Sequence, residues 1–410
     1  RRPASEGGRF ETVDPATGTA FAEVARGTAA DIDLAVAAAR RALPDWRGMA
    51  PQERGRLLGA LADRLRQEQD RLAALETRDN GKPISHARRD VETCARYFEY
   101  YAGIADKVHG ESIPLTDSYV DYTVREPLGV TAQIIPWNLP TNIFGRSVAP
   151  ALATGNVAVV KPAEQTPVTA VEIAALASEV GLPNGVLNVV PGFGTEAGAR
   201  LAAHPDVDGV SFTGSVPTGI EVAQGAVENV TNVHLELGGK SPNVVFPDAE
   251  MDSAIASTVT AIFANAGQVC SAGSRLLLHE EISDAFLERL VTAVEALSVG
   301  PGVEDHDMGP LVSATQFETV TEYLAVGREE AGEPLVGGDS LEREGFFVEP
   351  TIFTGVDSSM RIAQEEIFGP VLAVMEFADE AEALALANDT EFGLVAGVHT
   401  TDMGRAHRFA

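Results

Sequence analysis

From Leu128 onward the chain alternates short apolar, β-rich runs with segments of helical periodicity, and this alternation constrains the fold more than any other feature. The apolar runs lie at 129–135, 157–160, 186–190, 209–213 and 232–237, with helical segments near 141–153, 166–180, 195–203 and 217–228. Parallel strands need long crossovers, and helical crossovers cover both faces of the sheet they serve. A second series has strands near 243–246, 274–279 and 371–377 and helices near 251–264, 282–296, 314–328 and 379–388. The expected class is α/β, with two parallel-sheet domains. Ahead of the alternation, Ile32, Val36, Ala39 and Leu43 fall at helical spacing after an Asp31 start signal. A second helix is expected from Pro51 to Asn80-Gly81, and a third from Asp90 to Tyr101, where Cys94 packs beside Phe98. Between them and the first sheet, residues 109–127 read as a two-stranded excursion of the kind that serves assembly. The stretch 327–346 reads as a turn-rich surface region.

At 410 residues, 45% of them hydrophobic, the chain is too long for one ordinary core and rich enough for two or three. Two cysteines cannot build a disulfide framework, and residues 1–8 lack the apolar run of a secretory signal, so a cytoplasmic protein is expected. No apolar stretch approaches the roughly 18 residues of a membrane span, because Pro136 and Lys161 cut the best runs short. A net charge of −30 excludes nucleic acid as a natural partner. With Lys82, Lys107, Lys161 and Lys240 the only lysines, the balance is that of a salt-adapted protein with a hydrated, mutually repelling surface. The chain opens without methionine and stops within a helical pattern at Arg408, Phe409 and Ala410, as a fragment would.

Six stretches carry chemistry. Cys270 closes Phe263–Arg275, where Gly267 and Gly273 leave the backbone approachable; a thiol so placed is a candidate nucleophile, against the alternative of a small buried apolar residue. In the strand Val233–Leu237, Glu236 stands inside an apolar run before Gly238 and Gly239, and burial would raise its pKa toward that of a general base; pairing with Lys240 is the other reading. Asn138, between Pro136 and Pro140 at a strand end, offers a fixed amide N–H for an oxyanion, or simply a turn. Lys161 and Glu164 follow a buried strand, where both could reach a ribose; a carboxylate there repels a 2′-phosphate and favours NAD over NADP. For phosphate binding, Phe212-Thr213-Gly214-Ser215, with Gly219 in the next turn, joins a strand to a helix start, while Gly192, Gly194 and Gly198 form a weaker fingerprint with one residue too many. The stretch Gln364 to Val371, two acids and an aromatic residue with a Gly-Pro turn, says little alone.

Together, and in their order along the chain, these segments resemble the NAD(P)-dependent aldehyde dehydrogenase superfamily from about Phe10 to the last residue. The similarity rests on Pro136-Trp137-Asn138, Lys161 to Pro167, Phe212 to Ser215, Glu236 to Lys240, Gly267 to Cys270 and Glu366 to Pro370. It implies a Rossmann-type cofactor domain (1–108 with 128–238), a β-arm for oligomerisation (109–127) and an α/β catalytic domain (239–410), assembled as a homodimer or homotetramer. By this resemblance Cys270 attacks an aldehyde, Asn138 and the Cys270 backbone N–H hold the oxyanion, and Glu236 deprotonates the water that hydrolyses the thioester. It also assigns Ile134, Pro136, Trp137, Lys161, Glu164, Gly194, Gly198, Phe212, Gly214, Ser215, Gly219, Leu237, Glu366 and Phe368 to the cofactor, and expects no metal. Members continue beyond the position of Ala410, with part of the substrate tunnel and the last assembly strand. CoA-acylating relatives usually alter the Glu-Leu-Gly-Gly stretch, which is intact at 236–239 and favours water as acyl acceptor; a non-catalytic dinucleotide-binding protein is the remaining alternative. Residues 228–231 and 100–107 look like betaine-aldehyde or broad-range branches.

Overall fold

The computed structural model describes residues 3–410. The chain divides into two compact units, the first made of the N-terminal segment to Thr12, Ala20–Asp79 and Ala87–Glu236, the second of Val13–Thr19, Asn80–His86 and Leu237–Ala410.

The first unit is built on five parallel strands in the order Leu187–Val189, Val157–Pro162, Val130–Ile135, Gly209–Thr213, Asn232–Glu236. Val130–Ile135 and Val157–Pro162 are buried along their whole length, which is why they read as unbroken apolar runs. The last strand lies at the sheet edge and is half-exposed. Helix Ala29–Gly48 begins where Thr28 donates its backbone N–H to Asp31 Oδ2 at 3.1 Å, so the acid signals the start by reaching back to the cap. The single helix expected after Pro51 is two, Pro51–Gln67 and Gln69–Asn80. Glu68 between them receives Arg64 and Arg71, one from each helix, and the apolar spacing runs on across the break. Residues Ser112–Ile113 pair antiparallel with Asp121–Tyr122, and Tyr119, Val120, Tyr122 and Val124 around this ribbon are exposed.

The second unit carries another parallel sheet, in the order Thr351–Phe353, Val371–Phe377, Arg275–His279, Pro242–Val245, Gly397–His399. The sequence pattern located its three central strands and missed both three-residue edges, too short to show a period. Phe246, Phe286, Phe353 and Phe377 fill the core. Arg275, fully buried, donates to the carbonyls of Lys240 (2.8 Å), Leu386 (3.0 Å) and Ala387 (2.8 Å), tying a loop to the end of helix Glu380–Asn388. No described helix is long and apolar enough to cross a membrane.

Candidate active site

In the first unit, strand register decides which residues share an edge. Lys161, Ile134, Phe212 and Leu235 form one row across four strands, and Thr213 pairs with Glu236 one row further on. The residues following these strands therefore emerge together at the carboxyl edge, where open parallel sheets bind ligands. Past Ile135 come Pro136, Trp137 and Asn138, the first two half-buried and the third buried; past Pro162 comes Glu164, and past Thr213 come Gly214 and Ser215. The Trp137 carbonyl accepts from Thr166 Oγ1 at 3.3 Å, joining two of these segments.

Lys161 is buried, and its ammonium meets the half-buried Glu164 carboxylate at 2.9 Å. Gly194 and Gly198 lie beside it: a Cβ at Gly194 would stand 3.9 Å from Lys161 Nζ, and one at Gly198 3.8 Å from its Cδ. The weak glycine fingerprint is thus brought to the lysine, on a π-helical turn, Gly194–Gly198, rather than on the start of an ordinary helix. The extra residue before the third glycine fits that wider turn. Ser215 is exposed and caps helix Val216–Val227 by accepting from the Thr218 N–H. Gly219 is buried one turn into that helix. Gly214 is required by its own neighbour, since a Cβ there would fall 2.5 Å from the Phe212 ring.

Glu236 departs from the sequence reading. Its side chain keeps 32% of its exposure, because the strand that carries it is an edge. Its partners are His234 Nε2 at 3.2 Å and Arg146 Nη1 at 3.8 Å, the latter arginine also donating to Thr213 Oγ1 at 3.1 Å. An apolar run read as burial was an edge strand, and neither partner was visible without the fold.

In the second unit, helix Met251–Phe263 gives way to a turn in which Asn265, Ala266 and Gly267 all have positive φ. A Cβ at Gly267 would lie 2.0 Å from the Gly369 carbonyl oxygen, so the cysteine segment packs on the Phe368-Gly369-Pro370 turn with no room for a side chain. Gln268 is fully buried; its Nε2 donates to Asn265 O (3.0 Å) and its Oε1 accepts from the Val312 N–H (2.9 Å), which fixes the approach to Cys270. Cys270 itself is partly exposed. Cys94 is wholly buried, and its burial, with the charges of Glu76 and Asp90, pushes its thiol pKa up.

Glu366 accepts from the Gly239 N–H at 3.0 Å. A Cβ at Gly238 would meet Glu366 Oε2 at 2.0 Å, and one at Gly239 would meet the Cys270 carbonyl at 2.7 Å. The two glycines after Leu237, itself half-buried, thus let the Glu366 carboxylate and the cysteine backbone close on one loop. Burial raises the Glu366 pKa against the opposing pull of that N–H and of Lys240. Phe368 holds φ 55°, a strained value for an aromatic residue, supported by Gln316 Nε2 donating to the Ile367 and Phe368 carbonyls at 3.2 and 2.9 Å. Gln316 was not singled out in the sequence, where nothing but helical periodicity marks it. Among the described residues, no cluster of metal-ligating side chains is present.

The sequence profile of the Aldehyde dehydrogenase family matches residues 2–410. Hydroxyisobutyraldehyde dehydrogenase of Mycolicibacterium austroafricanum is 46% identical, over 98% of this chain and 81% of its own length. Human mitochondrial aldehyde dehydrogenase is 47% identical, over 97% and 78% respectively. Among solved structures, an NAD+ complex of aldehyde dehydrogenase from Bacillus cereus superposes with a TM-score of 0.98 at 42% identity, covering 100% of this chain and 84% of that one. Betaine aldehyde dehydrogenase from Staphylococcus aureus, solved with NAD+, gives 0.97 at 39% identity, covering 100% and 82%. With a match of this extent in sequence and fold, and the family's motifs standing at strand ends and on tight glycine turns, the chain belongs to the aldehyde dehydrogenase family.

Proposed function

We propose that the protein oxidises an aldehyde to its carboxylic acid with NAD. The observation that carries this reading is the common carboxyl edge of the first sheet, where Asn138, the Lys161–Glu164 pair, Ser215 and Glu236 stand at or just past the ends of neighbouring parallel strands. Glu164, held 2.9 Å from Lys161 and still half-exposed, suits ribose hydroxyls and opposes a 2′-phosphate, which favours NAD over NADP. Ile134, Pro136, Trp137, Phe212 and Leu237 would line the dinucleotide, the backbone around Gly194, Gly198, Gly214, Ser215 and Gly219 would receive its phosphates, and Glu366 and Phe368 would hold its nicotinamide end. Such a cofactor supplies a hydride acceptor. Cys270 supplies the nucleophile: its sulfur adds to the aldehyde carbon, and the alkoxide is held by the Asn138 amide and the Cys270 backbone N–H. Loss of hydride leaves a thioester, which water activated by Glu236 hydrolyses.

Replacing Cys270 by alanine in a folded protein abolishes aldehyde-dependent NADH formation on this reading; turnover at more than a trace of the parent rate would reject it. Product analysis with and without CoA separates acid from acyl-CoA, and the intact Glu236 to Gly239 loop favours acid. Betaine aldehyde, within a broad range of aldehydes, is the substrate we favour, supported by the likeness to the Staphylococcus enzyme. A panel of aliphatic, aromatic, amino and trimethylammonium aldehydes tests it, and equal rates across the panel would remove the preference. A cytoplasmic homodimer or homotetramer is proposed from the composition and from the exposed apolar ribbon at 112–122.

A further inference from the structure

Two groups flank the Glu236 carboxylate from within its own unit, and they differ in what they can do with a proton. Arg146, from helix Pro140–Ala153, stands 3.8 Å from Oε2 and is permanently charged, so it can hold the carboxylate but cannot accept from it. His234 stands two residues earlier on the same strand and therefore on the same face. Its Nε2 lies 3.2 Å from Glu236 Oε1, and its side chain is 70% exposed, against 32% for Glu236. A neutral imidazole with its Nδ1 protonated accepts at Nε2, which makes His234 a group that meets the carboxyl at one end and solvent at the other.

We propose that His234 is the proton outlet of Glu236, a positioning residue acting through the base; this rests on the reading of Glu236 as the base that activates water. In the hydrolytic step the water O–H gives its proton to Glu236, the C–O bond forms at the thioester carbon, the C–S bond breaks, and Cys270 leaves as thiolate with the product as carboxylic acid. Glu236 is then protonated and idle until it discharges. The proton passes from Oε1 to His234 Nε2, the imidazolium releases a proton to solvent, and the carboxylate is restored between His234 and Arg146.

The test follows decay of the acyl-enzyme directly, after loading Cys270 of the intact protein with p-nitrophenyl acetate and quenching for intact mass. At low buffer concentration, His234→Ala and His234→Gln each slow the decay about tenfold, short of the hundredfold or more contributed by a group acting directly on the water. The hindered base 2,6-lutidine, which does not attack thioesters, restores the His234→Ala rate in proportion to its concentration and leaves the parent rate unchanged. Decay at the parent rate in His234→Gln would reduce His234 to a hydrogen-bond donor and overturn the proposal, as would a slow His234→Ala protein indifferent to lutidine, or no slowing at all. Glu236→Gln is the control for the underlying reading. If it decays at the parent rate, the assignment of Glu236 as base fails; if it is slow at every lutidine concentration while the His234 variants match the parent, only the outlet fails.

Discussion

At the turn before Cys270 a single methyl group is enough to test the local architecture. Gly267 has φ +72°, and a Cβ there would sit 2.0 Å from a backbone carbonyl that cannot swing away. Gly267→Ala combines left-handed strain with a backbone clash, and a loss of about 2–3 kcal/mol is expected, read as a fall in denaturation midpoint together with slower thiol alkylation. An unchanged midpoint would show that the Gly369 turn gives way freely. The two thiols form a matching internal contrast: Cys270 is partly exposed, whereas Cys94 is wholly buried with its pKa pushed up by that burial. Iodoacetamide should modify one cysteine in the native protein, mapped to Cys270, and two after denaturation. Native labelling of Cys94 would contradict the packing of its helix. At this scale Gly267, Gly238 and Gly239 were legible in sequence as small residues beside the candidate thiol and base, although the atoms that forbid a side chain there, the Gly369 carbonyl, the Glu366 carboxylate and the Cys270 carbonyl, come from distant parts of the chain. His234, Arg146 and Gln316 were not legible, since their roles depend on neighbours supplied by strand register and helix packing.

Between residues and units, the loop from Leu237 to Lys240 links a strand of each sheet, and its last residue is its least comfortable one. Lys240 is 2% exposed, and its Nζ has no hydrogen-bond partner. Burial, and then the charge of Arg275, lower its pKa to about 7 despite the pull of Glu366 and Glu365. The unfolded chain, with an ordinary lysine near 10.5, binds more protons than the folded one between about pH 7 and 10.5, so stability rises with pH across that window and is flat below it. Lys240→Met should flatten this rise, which amounts to a few kcal/mol, in denaturant melts at pH 7, 8 and 9. Equal slopes in parent and variant would place the ammonium in water. Sequence alone could offer Lys240 only as the partner of Glu236. The element pattern was otherwise legible wherever a strand was buried on both faces, as at 130–135 and 371–377. It found the half-exposed strands at 187–189 and 232–236 but missed Arg9–Asp14 and Thr19–Ala25, where solvent on one side dilutes the apolar signal.

Over the whole molecule, 60 acidic residues face 30 basic ones. Many of the arginines are engaged more than once: Arg66 meets Glu92 and Glu99, Arg64 meets Glu68 and Glu179, and Arg328 meets Glu333 and Asp339. Salt weakens both these exposed pairs and the repulsion among the surplus carboxylates, so the sign of its effect depends on which is larger. Each exposed pair contributes about 0–1 kcal/mol and acts at contact range, where screening is least complete. The repulsion acts over longer distances and grows with the square of a net charge of −30, and shortening the Debye length from about 10 Å at 0.1 M to about 3 Å at 1 M removes most of it. Repulsion therefore decides the outcome, and the melting temperature should climb between dilute buffer and 1 M sodium chloride. Because urea is uncharged, the same trend should appear as a rising urea midpoint with a constant m-value. A midpoint that falls steadily with added chloride would mean that the ion pairs outweigh the surplus charge, and would remove the case for a salt-adapted surface.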